Sequence, residues 1–220
     1  MAKAFLFDLN GTIIDDMRYH NQAWFDLLTK DLHADLTWEQ VKKEMYGKNS
    51  DLMIRIFGND RFSDEEMERL SMEKEKRYQA AYKQDLQLIP GLDSFLAKIE
   101  AHNIKMAVGS AAIPFNIDFI LDNLNIRHYF EVVISADDVM NSKPDPETFL
   151  SCASLLNVAP SDCIVFEDAP KGVESARNAG MKAVAIMSTH EEVDFAQYDN
   201  IICFIRDYND PQLKDLFNEK

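Results

Sequence analysis

The segment AFLFDLNGT, residues 4–12, decides how the rest of the sequence is interpreted. It opens with a short apolar run that has no helical period, which is typical of a strand buried on both faces of a parallel sheet. The run ends at Asp8, and a short turn containing Gly11 follows. Ligands of open parallel sheets bind beyond the carboxyl ends of the strands. The segment therefore predicts a buried strand at residues 4–8 that places Asp8 at a ligand-binding edge.

Similar apolar runs recur in the second half of the sequence and predict further strands. They lie at residues 105–109, 131–135, 163–167 and 183–187, and residues 201–205 allow a sixth strand. Helical patterns alternate with these runs at residues 91–102, at 114–124, from Asp145 through Leu156, and at 170–179. Asp145 and Pro146 are expected to serve as N-cap and first residue of the third of these helices. The alternation predicts a doubly wound, Rossmann-like α/β core with a parallel sheet.

Between the first two predicted strands the sequence has only helical patterns. Helices are expected at residues 18–30, 37–46, 51–57 and 63–84. Two of them should begin with capping boxes, Thr37 with Gln40 and Ser63 with Glu66. We therefore expect a helical-bundle cap domain at residues 16–85, inserted after the first strand. It would close over a catalytic core formed by residues 1–15 and 86–220.

The composition restricts the classes of partner. The chain has 38 acidic and 23 basic residues and a net charge of -15, so nucleic acid and anionic membranes should be repelled. A small phosphorylated metabolite is compatible, because a bound cation and a few lysines can reverse the field inside a cleft. The three cysteines lie far apart in apolar surroundings and are predicted to be buried free thiols. With no signal peptide or membrane span in the sequence, we expect a cytoplasmic protein. We also expect a monomer.

Charged and hydroxyl side chains follow the carboxyl ends of the predicted strands. Asp8 ends the first and Ser110 follows the second, while Lys143 lies after the third and Glu167 and Asp168 follow the fourth. Asp8 and Asp168 would offer the hard oxygen ligands that Mg²⁺ prefers. Asp8 could attack phosphorus as a nucleophile, and Ser110 and Lys143 would stabilise the transferring oxygens. This set of residues predicts Mg²⁺-dependent phosphoryl transfer.

Four sequence motifs carry a family resemblance. DLNGT, GSAA, SKPDP and FEDAPKGVESARNAG occur in this order between residues 8 and 180. They resemble the four ordered motifs of the haloacid dehalogenase-like phosphatase superfamily. The helical insert after the first motif is similar to the first cap class of that superfamily. Within the insert, IIDDMRYHNQAW at residues 13–24 resembles the β-phosphoglucomutase-like subgroup of sugar-phosphate enzymes.

The resemblance implies a role for each matching core residue. Asp8 matches the nucleophile that forms an aspartyl-phosphate, and Ser110 and Lys143 match the residues that bind the transferring phosphoryl group. Asp168 matches the Mg²⁺ ligand, with Glu167 beside it as a partner of the metal site. The backbone carbonyl of the residue at position 10 is a further family ligand, which any residue type can supply.

Further residues are expected to contact the substrate. They are Gly11, Thr12 and Ala111 in the core and His20, Gly47, Lys48 and Lys74 in the cap. Gly11 permits a tight turn beside the phosphate, and Lys48 could reach a distal phosphate from its loop. The subgroup resemblance implies that His20 and Lys74 couple cap closure to chemistry. The alternatives are that His20 is a satisfied histidine of the helix face and that Lys74 extends into solvent.

Asn10 departs from the superfamily pattern, which has Asp at this position as general acid and base. An amide has no titrating proton, so catalysis should lose the roughly 10²–10⁴-fold that acid–base chemistry provides. The near-isosteric Asn10 should leave the fold, the metal site and substrate binding intact. Asn10 is either an introduced inactivating substitution or the mark of a naturally slow enzyme, and the intact surrounding motifs favour the first.

These observations support a phosphatase acting on a small phosphorylated metabolite such as a sugar phosphate. A β-phosphoglucomutase-type phosphohexomutase is the alternative, and it differs in whether a sugar hydroxyl or water accepts the phosphoryl group. The segment 47–50 lacks an arginine for a second phosphate, which favours the phosphatase. A further alternative is a catalytically silent protein that only binds a phosphorylated ligand. A haloacid dehalogenase proper is disfavoured by the pair Glu167 and Asp168.

Overall fold

A parallel sheet of six strands organises the chain. The structure is a computed structural model that describes residues 2–217. The strands are β1 (Ala4–Phe7), β2 (Lys105–Gly109), β3 (Val132–Ile134), β4 (Cys163–Glu167), β5 (Lys182–Ile186) and β6 (Ile201–Ile205). Their order across the sheet is β3-β2-β1-β4-β5-β6, and all neighbours are parallel. The predicted Rossmann-like sheet is confirmed, and the sixth strand forms its edge.

The described residues form eight α-helices. They are α1 (Met17–Asp26), α2 (Trp38–Lys43), α3 (Asn49–Phe57), α4 (Asp64–Tyr82), α5 (Leu92–Ala101), α6 (Pro114–Asn123), α7 (Glu147–Leu155) and α8 (Pro170–Asn178). The first four lie between β1 and β2, so the predicted helical insertion after the first strand is confirmed. Within residues 2–217 no helix combines the length and the apolar composition that crossing a membrane requires.

The register of the central strands brings their carboxyl ends to one level. Phe7 of β1 pairs with Val108 of β2 and with Phe166 of β4. The residues that follow these three positions, Asp8, Gly109 and Glu167, therefore lie at the same edge of the sheet. Asp8 lies just beyond β1 and not inside the predicted strand 4–8.

Alternate residues of β1 pack on opposite faces of the sheet. Leu6 belongs to an apolar cluster with residues of α7 and α8, among them Phe149 and Val173. Phe5 and Phe7 point to the other face, where both rings contact Phe166. Both faces of β1 are thus fully covered, as the continuous apolar run at its start predicts.

The predicted start of α7 is wrong by one position. Pro146 is the N-cap residue and the helix begins at Glu147, whereas Asp145 and Pro146 were expected to be the N-cap and first residue. Asp145 still stabilises the helix start, because its Oδ1 accepts a hydrogen bond from the backbone N–H of Glu147 at 3.0 Å. At the end of α8, Gly180 adopts the left-handed conformation expected of the residue after a C-cap.

Residues Asp16–Leu86 form a compact unit of their own, and the remaining residues, up to Asp15 and from Gln87 onward, form the other. The helical unit has its own apolar core around Trp24, Leu28 and Met53.

The predicted helix 18–30 is not α-helical throughout, because α1 ends at Asp26 and a π-helical segment, Leu27–Asp31, follows. The other three cap helices differ in their bounds from predictions that ran from 37 to 46, from 51 to 57 and from 63 to 84. Both predicted capping boxes form, at Thr37 and at Ser63.

Candidate active site

Asp8 lies at the carboxyl edge of the sheet and is fixed there by its backbone. Its N–H donates to the carbonyl of Phe166 at 3.0 Å, which continues the pairing of β1 with β4 by one residue. The Asp8 side chain is buried. The carboxylate therefore has a defined position next to the end of β4, where Glu167 and Asp168 lie.

Lys143 joins Asp8 to Glu167. Its Nζ lies 2.6 Å from Oδ1 of Asp8 and 2.8 Å from Oε1 of Glu167, although these residues are far apart in the sequence. Burial alone would lower the pKa of Lys143, but the two carboxylates outweigh it and raise that pKa above its usual value. Lys143 is therefore a permanently charged ammonium at the sheet edge, preceding a cis peptide bond to Pro144.

Glu167 is held from two sides. Besides Lys143 at Oε1, the backbone N–H of Ala169 donates to its Oε2 at 2.8 Å. Gly172, in the first turns of α8, leaves the space that this carboxylate occupies: a Cβ at that position would lie 1.7 Å from Oε1 of Glu167. The motif FEDAPKG thus carries a glycine because a carboxylate packs against the helix backbone.

Gly172→Ala is therefore expected to destabilise the protein, although alanine is normally the better helix former by about 1 kcal/mol. The added methyl group must displace Glu167 from its contacts with Lys143 and Ala169, and overpacking of this kind costs about 1–3 kcal/mol. Urea unfolding followed by far-UV circular dichroism measures the change. Ser154→Ala, on the exposed side of α7, is the control and should have almost no effect. Equal or higher stability of Gly172→Ala would contradict the contact.

Asp168 is buried next to the turn that follows Asp8. Oδ1 of Asp168 lies 3.5 Å from the hydroxyl of Thr12, and a Cβ on Gly11 would come within 2.2 Å of Oδ2. Gly11 has φ +74°, so both its conformation and this close approach require glycine. Burial and, after it, the neighbouring carboxylates of Glu167 and Asp8 raise the pKa of Asp168 well above its usual range.

The charges at this edge suit a divalent cation. Three buried carboxylates, those of Asp8, Glu167 and Asp168, face a single ammonium, Lys143, which leaves two negative charges in excess when all are ionised. No group of three or more His, Cys, Asp or Glu side chains among residues 2–217 is arranged to hold a metal ion by itself. Mg²⁺ is commonly bound by one or two carboxylates and completes its shell with water and substrate phosphate. The residues present fit that mode of binding.

The phosphate-binding residues predicted after β2 lie at the same edge. The backbone N–H of Ser110 donates to Ile134 at the end of β3 at 2.9 Å, and its buried hydroxyl accepts from Ala112 N–H at 3.1 Å. Ala111 is exposed between them. Asn10, half-buried, is part of the turn after β1 and forms an isolated bridge with Ile14.

A loop outside the four motifs also contacts this edge, and sequence reasoning missed it. The loop, Ser188–Thr189–His190, follows β5. Ser188 donates to the carbonyl of Gly11 at 2.5 Å, and Thr189 donates to the carboxylate of Asp168. Nδ1 of His190 lies 3.1 Å from the Asp168 carbonyl. No local pattern signals these contacts.

The helical unit contains a buried polar cluster of its own, formed by Asp16, His20, Lys74, Glu75 and Tyr78. Nζ of Lys74 lies 2.6 Å from Nδ1 of His20 and 3.0 Å from both carboxylate oxygens of Glu75. Nε2 of His20 lies 3.3 Å from Asp16, and the Tyr78 hydroxyl donates to the same carboxylate. The alternative that Lys74 extends into solvent is wrong, since only 2% of it is exposed.

The predicted substrate loop of the cap begins a helix. Gly47 has φ +76°, and Lys48, half-buried, is the N-cap residue of α3, where its N–H donates to Asp51 at 3.0 Å. The next residue, Asn49, donates from its side chain to Oε1 of Glu75 at 2.7 Å. Asn49 therefore connects this loop to the buried polar cluster, a contact that no sequence motif indicates.

A family model described as haloacid dehalogenase-like hydrolase matches residues 5–186. The chain belongs to this family. Fructose-1-phosphate phosphatase of Escherichia coli is 32% identical over 182 residues, 82% of this chain and 94% of the relative. β-Phosphoglucomutase of Bacillus subtilis is 32% identical over 189 residues, 84% of this chain and 83% of the relative.

Solved structures agree with the family assignment. The crystal structure of β-phosphoglucomutase from Clostridium difficile aligns with a TM-score of 0.84 at 29% identity, over 99% of this chain and 97% of that one. The resemblance to haloacid dehalogenase-like proteins and to their β-phosphoglucomutase-like subgroup is thereby confirmed.

In this haloacid dehalogenase-like hydrolase, Glu75→Leu is expected to destabilise the helical unit by about 3–5 kcal/mol, because it leaves a buried ammonium without its closest counter-charge. Burial already lowers the pKa of Lys74, against the opposing effect of Glu75 and Asp16. Both tryptophans of the sequence, Trp24 and Trp38, lie in this unit, so tryptophan fluorescence during urea unfolding follows it selectively.

The matched control removes both charges. Lys74→Met combined with Glu75→Leu should recover most of the lost stability, since replacing a buried ion pair by apolar side chains is often neutral. If the double variant is as unstable as Glu75→Leu alone, the loss comes from packing or from the Asn49 contact and not from the charge of Lys74.

Proposed function

We propose that this chain is a Mg²⁺-dependent phosphatase that acts through an aspartyl-phosphate on Asp8, with a sugar phosphate or a similar small phosphorylated metabolite as substrate. The observation that carries the proposal is the contact of Lys143 with both Asp8 and Glu167 beside the buried Asp168. A nucleophilic carboxylate, a fixed ammonium and a carboxylate pair suited to a cation are the parts that phosphoryl transfer requires.

In the first step, an oxygen of Asp8 forms a bond to phosphorus while the ester P–O bond breaks, and the substrate alcohol leaves with the bonding electrons. Lys143, in contact with Asp8, would neutralise charge on the phosphoryl oxygens, and the Ser110 hydroxyl would donate to one of them. In the second step, water attacks the aspartyl-phosphate, which releases inorganic phosphate and regenerates the Asp8 carboxylate.

Asp8, Asp168 and the backbone carbonyl of Asn10 would hold Mg²⁺, with Glu167 beside them. When bound, Mg²⁺ supplies positive charge that stabilises the oxygens of the phosphoryl group and orients them. The excess negative charge at this edge supports that assignment, because without a cation the Asp8 carboxylate would repel an anionic substrate.

Asn10 is the residue that limits the proposed activity. The leaving alcohol needs a proton in the first step, and the attacking water must lose one in the second. A carboxyl group at position 10 would do both, but the Asn10 amide can do neither. We therefore infer a scaffold that binds metal and substrate and turns over slowly.

The relatives support a sugar phosphate as the substrate class. This chain is similar over most of its length to a fructose-1-phosphate phosphatase and to a β-phosphoglucomutase. A phosphohexomutase is the second candidate, favoured by the likeness to the Clostridium difficile structure. A mutase must return the phosphoryl group to a sugar, and no arginine occurs at 47–50 to hold a second phosphate. The phosphatase is therefore preferred.

The test is a panel of sugar monophosphates and polyol phosphates, incubated with the Asn10→Asp variant in Mg²⁺ and, separately, in excess EDTA. Release of inorganic phosphate from at least one member, lost in EDTA, is expected. Conversion to an isomeric sugar phosphate without phosphate release would favour the mutase. Tight binding of phosphorylated ligands with no reaction in any member of the panel would favour a silent binding protein.

A further inference from the structure

The hydroxyl of Thr189 is directed at the carboxylate of Asp168. The two residues are 21 positions apart and are brought together by the parallel pairing of β4 with β5. The Thr189 hydroxyl contacts Oδ2 of Asp168 and lies 3.3 Å from its backbone carbonyl. Thr189 is half-buried.

The number of protons fixes the direction of these hydrogen bonds. A hydroxyl has one proton, and a carboxylate that binds a cation is ionised and only accepts. Thr189 must therefore donate to Asp168. Nδ1 of His190 lies 2.8 Å from the Thr189 oxygen and 3.1 Å from the Asp168 carbonyl, both of which then act as acceptors. His190 is accordingly the donor, with its proton on Nδ1.

The same loop holds the other segment expected to contact the cation. Ser188 donates to the carbonyl of Gly11 at 2.5 Å, next to the Asn10 carbonyl. From after β6, the Tyr208 hydroxyl donates to the carbonyl of Thr12 at 3.0 Å. Hydroxyl donors from outside the four motifs thus fix both the turn after β1 and the carboxylate after β4.

We propose that Thr189 is a positioning residue that orients the Asp168 carboxylate towards the metal ion, and that His190 fixes the direction of the Thr189 hydroxyl. The inference rests on the proposed function, because it takes Asp168 to be a metal ligand. A donor on Oδ2 restricts rotation of the carboxylate, whose Oδ1 makes the longer contact, at 3.5 Å, with the Thr12 hydroxyl. Loss of such partners of a metal ligand usually weakens metal binding about 10–100-fold.

The test is titration calorimetry of Mg²⁺ into the full chain without substrate. Thr189→Val keeps the shape of the side chain and removes the hydroxyl, and it should weaken Mg²⁺ binding about 10–100-fold. Thr189→Ala, which cannot clash, should show a similar loss. Thr189→Ser keeps the hydroxyl and should stay within about threefold of the unmodified chain. Thr29→Val is the matched control: it removes a half-buried hydroxyl that donates to the Phe25 carbonyl, and Mg²⁺ affinity should not change.

Two failures are distinguishable. If the unmodified chain binds Mg²⁺ and both hydroxyl-free variants bind it equally well, the role of Thr189 is refuted while the proposed function stands. If the unmodified chain binds no Mg²⁺, the proposed function itself fails. If Thr189 has a purely structural role, its substitution should lower the midpoint of thermal unfolding in EDTA without changing the Mg²⁺ affinity of the folded protein. A loss of Mg²⁺ affinity in Thr189→Ser would also overturn the inference.

Discussion

Replacing Asn10 by aspartate is expected to raise the turnover of a sugar phosphate about 10²–10⁴-fold, the usual contribution of general acid–base catalysis. The substitution exchanges an amide for a carboxyl group of nearly the same shape in the turn after β1. The edge that holds Asp8, Lys143 and Asp168 should therefore remain as it is, and the gain should appear in kcat more than in KM. Steady-state phosphate release by both chains in Mg²⁺ measures it.

The gain should depend on the leaving group. The alkoxide of a sugar is a poor leaving group unless it is protonated, whereas p-nitrophenolate leaves well without a proton. Asn10→Asp should therefore accelerate cleavage of a sugar phosphate more than cleavage of p-nitrophenyl phosphate. Asn123→Asp, at the exposed end of α6, is the matched control and should leave both rates unchanged. The rates compared are those of leaving-group release in a single turnover, because hydrolysis of the aspartyl-phosphate is common to both esters, and an equal gain in that step would mean that residue 10 does not protonate the leaving group.

Asp8→Asn is expected to abolish turnover in the Asn10→Asp background, with a loss on the order of 10⁶-fold, as when a catalytic nucleophile is removed. The amide retains the shape of Asp8 but not its nucleophilicity, and it also weakens the contact with Lys143. Asp93→Asn, exposed in the first turn of α5, is the control and should leave turnover unchanged.

A covalent readout separates nucleophilic catalysis from metal binding. With p-nitrophenyl phosphate, the chain carrying Asn10 should form the aspartyl-phosphate and hydrolyse it slowly, because no base activates the water. A burst of about one equivalent of nitrophenol should result, with a phosphoryl group on the peptide containing Asp8 by mass spectrometry. Phosphorylation elsewhere, or undiminished turnover in Asp8→Asn, would exclude Asp8 as the nucleophile.

Local sequence patterns were sufficient for the fold. The apolar runs at β1, β2 and β4 have no period because both faces of these strands are covered, so they could be identified from composition alone. The carboxyl-end rule then predicts that Asp8 and Glu167 leave the sheet at one edge, and the register of β1 with β4 agrees. The capping box at Ser63 was predictable because donor and acceptor are three residues apart.

Contacts between distant segments could not be predicted in the same way. The sequence suggests that Lys143 lies near a phosphate, but it does not indicate that its ammonium also contacts Glu167. The Thr189 contact depends on how far the loop after β5 turns back over β4. The π-helical segment Leu27–Asp31 continues the apolar pattern of α1, so the pattern gives no sign of the changed hydrogen bonding.

The central position of β1 has a consequence for the order of events during protein synthesis. This strand pairs with residues 105–108 on one side and 163–166 on the other, so the ribosome must add almost half of the chain before the first neighbour is complete and well over half before the second. The helical unit, in contrast, draws its apolar core from one continuous stretch and can collapse as soon as that stretch emerges. The nascent chain should therefore acquire a folded insert before the strand that ends next to Asp8 can pair with either neighbour.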